Sequence, residues 1–218
     1  GAVNWSCSAT EPLGRVRFTL RATEALSIGE HSLPVWIECE KQALPRVVKF
    51  VRPLEWFIAG PYPFSKHLKI SYATEIEPVV HEAVFGNASL DEPLWKVPPL
   101  DKAYTTFGML DLRRIFGERE EALVYAVTEF EASQAGKAVL CVSVDDQCIV
   151  WLNGNEVARV TTSLPATLNT VRRKALLQKG KNRLLLKLSQ HQGYWEFMAR
   201  ITPRAEGLVV RGLPAAHR

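Results

Sequence analysis

Two tryptophans and the polar residues near them carry the chemistry this sequence could do. Trp151 and Trp195 each offer a flat aromatic face that can stack on the apolar C–H face of a pyranose. Asn153 follows the first, and Gln190, His191 and Gln192 precede the second. Amides and an imidazole of this kind can bond sugar hydroxyls. The competing reading is packing: a Trp on a strand fills a core, and Gln190 to Gly193 merely connects two strands. Asp145 and Asp146 stand side by side where an apolar run breaks. Carboxylates with neighbouring carbonyls on a loop suit a hard cation such as calcium. Aspartates at such a break equally form and cap turns.

Signatures of catalysis are missing from the sequence. There is no GxSxG elbow, no phosphate-binding Gly-Lys loop, no GxGxxG and no HExxH. His31, His67 and His217 have no partner that spacing would select, and Pro78 separates Glu77 from His81. The side chains of adjacent Asp145 and Asp146 diverge if both lie in a strand, so a glycosidase pair would have to be gathered from separate strands. No catalytic residue is expected.

The elements that would position these residues read as strands throughout. Ala138 to Val160 reads as three short strands joined by two tight turns. The second turn is Asn153-Gly154, the pair favoured where both central residues need φ > 0. Ala122 to Ser133 alternates, with Val124, Ala126, Thr128 and Phe130 on one face and Tyr125 and Val127 on the other. Arg113 to Phe116 reads as one helical turn closed by Gly117. Thr170 to Leu177, Leu184 to Leu186 and Trp195 to Thr202 are further strands. Strands recurring every 8–12 residues without a long helix favour an all-β antiparallel sandwich. Before this, Gly14 to Ala22, His31 to Glu40 and Arg46 to Arg52 alternate as strands, and residues 205–218 read as a loosely held tail.

Composition excludes several classes. The net charge is +4, from 27 basic and 23 acidic residues that are scattered, so a nucleic-acid partner is not expected. No apolar run reaches the ~18 residues of a membrane helix, so membrane insertion is not expected either. Cys7, Cys39, Cys141 and Cys148 form no CxxC pair. They read as free buried thiols, with a Cys141–Cys148 bridge as the alternative if the two strands form a hairpin in favourable register.

The order DDxxxxWLNGxxV (from Asp145), LxKGxNxLLxKL (from Leu177) and GxWxFxxRI (from Gly193) resembles the galactose-binding-like β-sandwich modules of glycan-processing enzymes. WFIAGPYPF, Trp56 to Phe64, resembles the opening of the same modules. The resemblance covers roughly Leu54 to Pro203. It implies a jelly roll over 54–204 and a non-catalytic module that binds a glycan or polysaccharide, or positions it for a parent catalytic domain. The setting it implies is extracellular or periplasmic. In PA14-like adhesins, an adjacent aspartate pair holds calcium and the calcium holds sugar hydroxyls, which assigns that role to Asp145 and Asp146. Gln147 stands where the related pattern has Gly. ALSIGEHSLPV, from Ala25, resembles the last strands of immunoglobulin-like or NEW3-like domains, so residues 1–53 are expected to be a partial immunoglobulin-like segment. The alternatives are a structural or interaction domain without a sugar site and, further off, a glycosidase.

Overall fold

The computed structural model describes residues 54–62, 98, 103, 105, 109–161 and 171–212 in full, and the backbone of 29–39, 42–52 and 63. The expected strand Gly14 to Ala22, the Glu77–His81 stretch and Cys7 lie outside the described residues, as does the side chain of Cys39.

The fold is an all-β antiparallel sandwich. A first hairpin, β1 (Gly29–Cys39) and β2 (Gln42–Arg52), forms its own two-stranded sheet. The strands that follow are β3 (Phe57–Pro63), β4 (Leu110–Asp111), β5 (Ala122–Ala132) and β6 (Gly136–Asp145). Next come β7 (Gln147–Leu152), β8 (Asn155–Val160) and β9 (Val171–Leu177). The last are β10 (Gly180–Gln190), β11 (Glu196–Pro203) and β12 (Val210–Gly212). A single helical turn, α1 (Arg113–Phe116), sits between β4 and β5 and is closed by Gly117 at φ 75°. Among the described residues no helix is long and apolar enough to cross a membrane.

One sheet runs β12-β5-β10-β7-β8, and β3 also pairs with β5. The other runs β4-β11-β6-β9. From β4 onward every connection crosses between the sheets except the β7–β8 hairpin. β5 is the hinge of the larger sheet: β10 pairs along one edge, and β3 and β12 share the other, at Ala122–Val127 and Phe130–Ala132. Gly60 lies where β3 crosses closest to β5. A Cβ there would meet Leu123 O at 2.9 Å, so only glycine fits.

Alternation decides what is buried. Val124, Ala126 and Phe130 of β5 face Leu140, Val142 and Val144 of β6 in the main core, and Phe197, Ala199 and Ile201 of β11 join them. The outer face of the larger sheet is apolar too. Leu123, Tyr125, Val127, Leu185 and Ala59 form a second cluster there.

Two expectations change. β6 and β7 are not a hairpin: Asp146 marks a crossing from one sheet to the other. Cys141 and Cys148 therefore lie in opposite sheets, and both are free thiols. Part of the expected tail is held in place, because Leu208 and Val210 are buried in the core and β12 pairs with β5.

Candidate functional site

The sequence-expected residues fall at two ends of the larger sheet. Trp151 lies opposite Leu185, and Asn153 N donates to Arg183 O at 2.9 Å. Gln147 lies opposite Ser189, and Asp146 Oδ2 accepts from His191 N at 2.7 Å. His191, just past the end of β10, lies six residues from Leu185, roughly 20 Å at strand rise. One sugar cannot touch both ends.

At the first end the residues are structural. Asn153 and Gly154 have φ of 49° and 81°, as the primed hairpin turn demands. Both ends of the Asn153 side chain are engaged: its Oδ1 accepts from Arg183 N at 2.9 Å and its Nδ2 donates to Asn182 Oδ1 at 2.9 Å. Asn182, 1 % exposed, also accepts from Gln178 N at 3.1 Å. Its Nδ2 donates to Gln178 O at 2.8 Å and Gly180 O at 2.9 Å. The WLNG and KGxN signatures are thus the two halves of one latch between turns. Trp151 is half-buried and packs against the outer-face cluster with Phe57 and Tyr62.

The second end gathers the polar groups. β10 stops at Gln190 and β11 starts at Glu196, so residues 191–195 form a loop that crosses between the sheets. Gly193 turns the chain at φ 87°. Gln190, wholly buried, holds the loop from within, its Nε2 donating to Gly193 O at 3.1 Å. Asp146 holds it from the side. Glu121 N donates to His191 O at 3.2 Å, and Glu121 Oε1 lies 2.6 Å from His191 Nδ1. Gln192 is exposed.

Strand phase then decides each aromatic's fate. Trp195 shares the inward phase of Phe197, is 0 % exposed, and packs its ring 6.1 Å from Phe116 of α1. It has no face to offer a ligand, which corrects its assignment as a platform. Tyr194, one residue earlier, points outward and is 63 % exposed. The Arg113 guanidinium lies 4.3 Å from its ring centroid, covering one face and leaving the other to solvent. Arg113 is itself fixed: its Nε and Nη2 donate to Asp111 at 3.2 and 3.1 Å. Three buried polar atoms here, Glu121 Oε2, Gln190 Oε1 and Trp195 Nε1, have no hydrogen-bond partner among the described residues. Leaving a buried polar group without a partner costs ~1–3 kcal/mol.

Charge is organised around the same loop. Glu196 stands in register with Asp111 on β4 and with Asp145 on β6. All three leave the sheet on its outer face, because Leu110, Val144 and Phe197 fill the inner one. Burial pushes the Glu196 carboxyl up and Asp111 adds to this, while Arg113 and Arg114 pull it down. The hydrogen bond to Asp111 raises Arg113 further above its already high range, with burial opposing.

Asp145 and Asp146 are both buried at the crossing from β6 to β7, and Asp146 Oδ2 accepts from His191 N. Calcium wants six to eight oxygens. Among the described residues no three His, Cys, Asp or Glu side chains are grouped to hold a metal ion. Asp146 also donates its N–H to Ser189 O at 3.3 Å, so it ties the crossing to the end of β10.

No family model and no curated protein matches the sequence. Solved structures give distant likenesses. One is β-glucosidase from Kluyveromyces marxianus, at 12% identity and TM-score 0.40, over 70% of this chain and 17% of that one. Another is a PA14 sugar-binding domain from an RTX adhesin, at 18% and 0.33, over 42% and 51%. A third is a family 35 carbohydrate binding module from an environmental isolate, at 16% and 0.35, over 51% and 82%. The chain thus spans about a sixth of the β-glucosidase and half of the adhesin domain.

Proposed function

We propose that this chain is a non-catalytic carbohydrate-binding or substrate-positioning module of a larger secreted glycan-acting protein, of the galactose-binding-like type. The observation that carries the reading is Tyr194: a 63 % exposed ring at a crossover loop, backed on one face by a fixed guanidinium. A ring held this way loses little freedom when a pyranose stacks on its open face. Gln192, half-exposed His191 and Arg113 stand beside it to bond hydroxyls. Asp111 is tied to Arg113, and Arg114 Nε lies 3.5 Å from it, which suits a positioning role better than a nucleophile. The test is a glycan-array screen of the folded chain, in calcium and in EDTA. Binding to a defined glycan in both buffers is expected; no binding to any glycan sinks the reading.

A second reading has its own support. Trp195 is in the core and Asn153 in a latch, as a structural or interaction domain without a sugar site requires. The same screen separates the two.

A further inference from the structure

The smaller sheet carries a cationic face at the end opposite its row of acids. Its outer side is built of three successive rows. Arg200, Cys141 and Arg172 stand in register across β11, β6 and β9. Thr202, Val139 and Lys174 form the next row. Lys137 and Leu176 form the third, and Arg204 extends it, donating its N–H to Lys137 O at 2.8 Å. Leu140, Val142 and Ile201 fill the opposite, core face, so alternation sends the residues of these rows outward.

No acidic residue stands in the three rows. The acids of this sheet, Asp111, Asp145 and Glu196, lie in one row at its far end, and Glu206 sits in the turn beyond Arg204. Lys137, Arg172, Lys174 and Arg204 are exposed and have no ion-pair partner among the described residues. A solvated strand face usually mixes signs. Here the cations repeat at about 7 Å along a strand and about 10 Å across two strand spacings.

We propose that this face binds a linear acidic polysaccharide, one that bears carboxylate or sulfate groups along its length. A flat lattice of cations on a rigid sheet matches a polymer whose charges repeat along an extended backbone. The rows contain no aromatic on which nucleic-acid bases could stack. An acidic polypeptide would instead pair its backbone with the outer edge of β9. The proposal is independent of the Tyr194 site.

The full chain is titrated with polygalacturonate and with chondroitin sulfate at 50 and 200 mM salt. Neutral dextran, polyglutamate and a dT oligonucleotide serve as comparison polymers. Binding to both acidic polysaccharides is expected, falling at least fivefold over that salt range, with none to dextran. Arg172→Gln with Lys174→Gln should weaken it roughly tenfold at an unchanged melting temperature. Lys179→Gln with Arg211→Gln, the same loss of charge on exposed positions elsewhere, should leave it within twofold. Tyr194→Ala should leave it unchanged. Failure to bind either acidic polysaccharide overturns the proposal, as does equal loss in the two double variants. Equal or tighter binding of polyglutamate or the oligonucleotide overturns the assignment to a glycan.

Discussion

Replacing Asn182 by Ala removes the centre of the latch between the β7–β8 turn and the turn before β10. The side chain is 1 % exposed and makes four hydrogen bonds, with Asn153, twice with Gln178, and with Gly180. This uses the full capacity of an amide. At about 1 kcal/mol net per bond the loss would be ~4 kcal/mol. Gln178 is exposed, so its backbone groups recover water and the expected cost falls to about 2–3 kcal/mol. For a chain of this size that is a drop of roughly 4–12 °C in Tm. Urea unfolding followed by tryptophan fluorescence measures it, provided the m-value is unchanged. A double-mutant cycle with Asn153→Ala should give a coupling of at least ~0.5 kcal/mol, because the two amides bond directly. A loss below ~0.5 kcal/mol for Asn182→Ala, or additive behaviour in the cycle, would refute the latch.

Trp195→Ala should cost about 3–5 kcal/mol in chemical denaturation, as expected for emptying a buried indole site, and any variant that stays folded should keep its glycan affinity. Burial pushes the Cys148 thiol up to about 12 from its ordinary 9.0. The folded state then keeps its proton where the unfolded state loses it, so stability is retained below pH 9 and falls as pH rises from 9 towards 12. Alkaline unfolding should ease in Cys148→Val, and mass-mapped thiol labelling of the native protein at pH 8 should modify half-exposed Cys141 but not Cys148. Gly193→Ala forces a Cβ at φ 87° and should cost ~1–2 kcal/mol with weakened glycan binding, read by thermal melt and titration.

Much of this architecture was legible because β-structure writes itself locally. The alternation of β5, the Asn153-Gly154 turn and the Gly117 stop each depend on neighbours only a few residues away. Which sheet a strand joins does not. Nothing around Asp146 distinguishes a hairpin from a crossing, because the partner that settles it is β10, some forty residues on. Trp195 is a different case: its residue type does not tell its side, but it shares the inward phase of Phe197, Ala199 and Ile201. That same phase puts Tyr194 and Glu196 outside, so counting from the core residues finds the exposed ring. Trp151 was correctly out of phase with Val150 and Leu152, but the outer face it reaches is itself apolar. Asn182 read as part of a turn signature, and its role needed the distance to Asn153 across the fold.

The most direct test is the affinity of the array-identified glycan for Tyr194→Ala, measured by calorimetric titration beside the parent chain and Tyr194→Phe. Tyr194 is exposed, so both variants should melt within about 2 °C of the parent. Stacking on Tyr194 predicts at least tenfold weaker binding for Tyr194→Ala and near-parental affinity for Tyr194→Phe, which keeps the ring. Parental affinity in Tyr194→Ala would contradict the account and move the glycan away from the 191–195 loop.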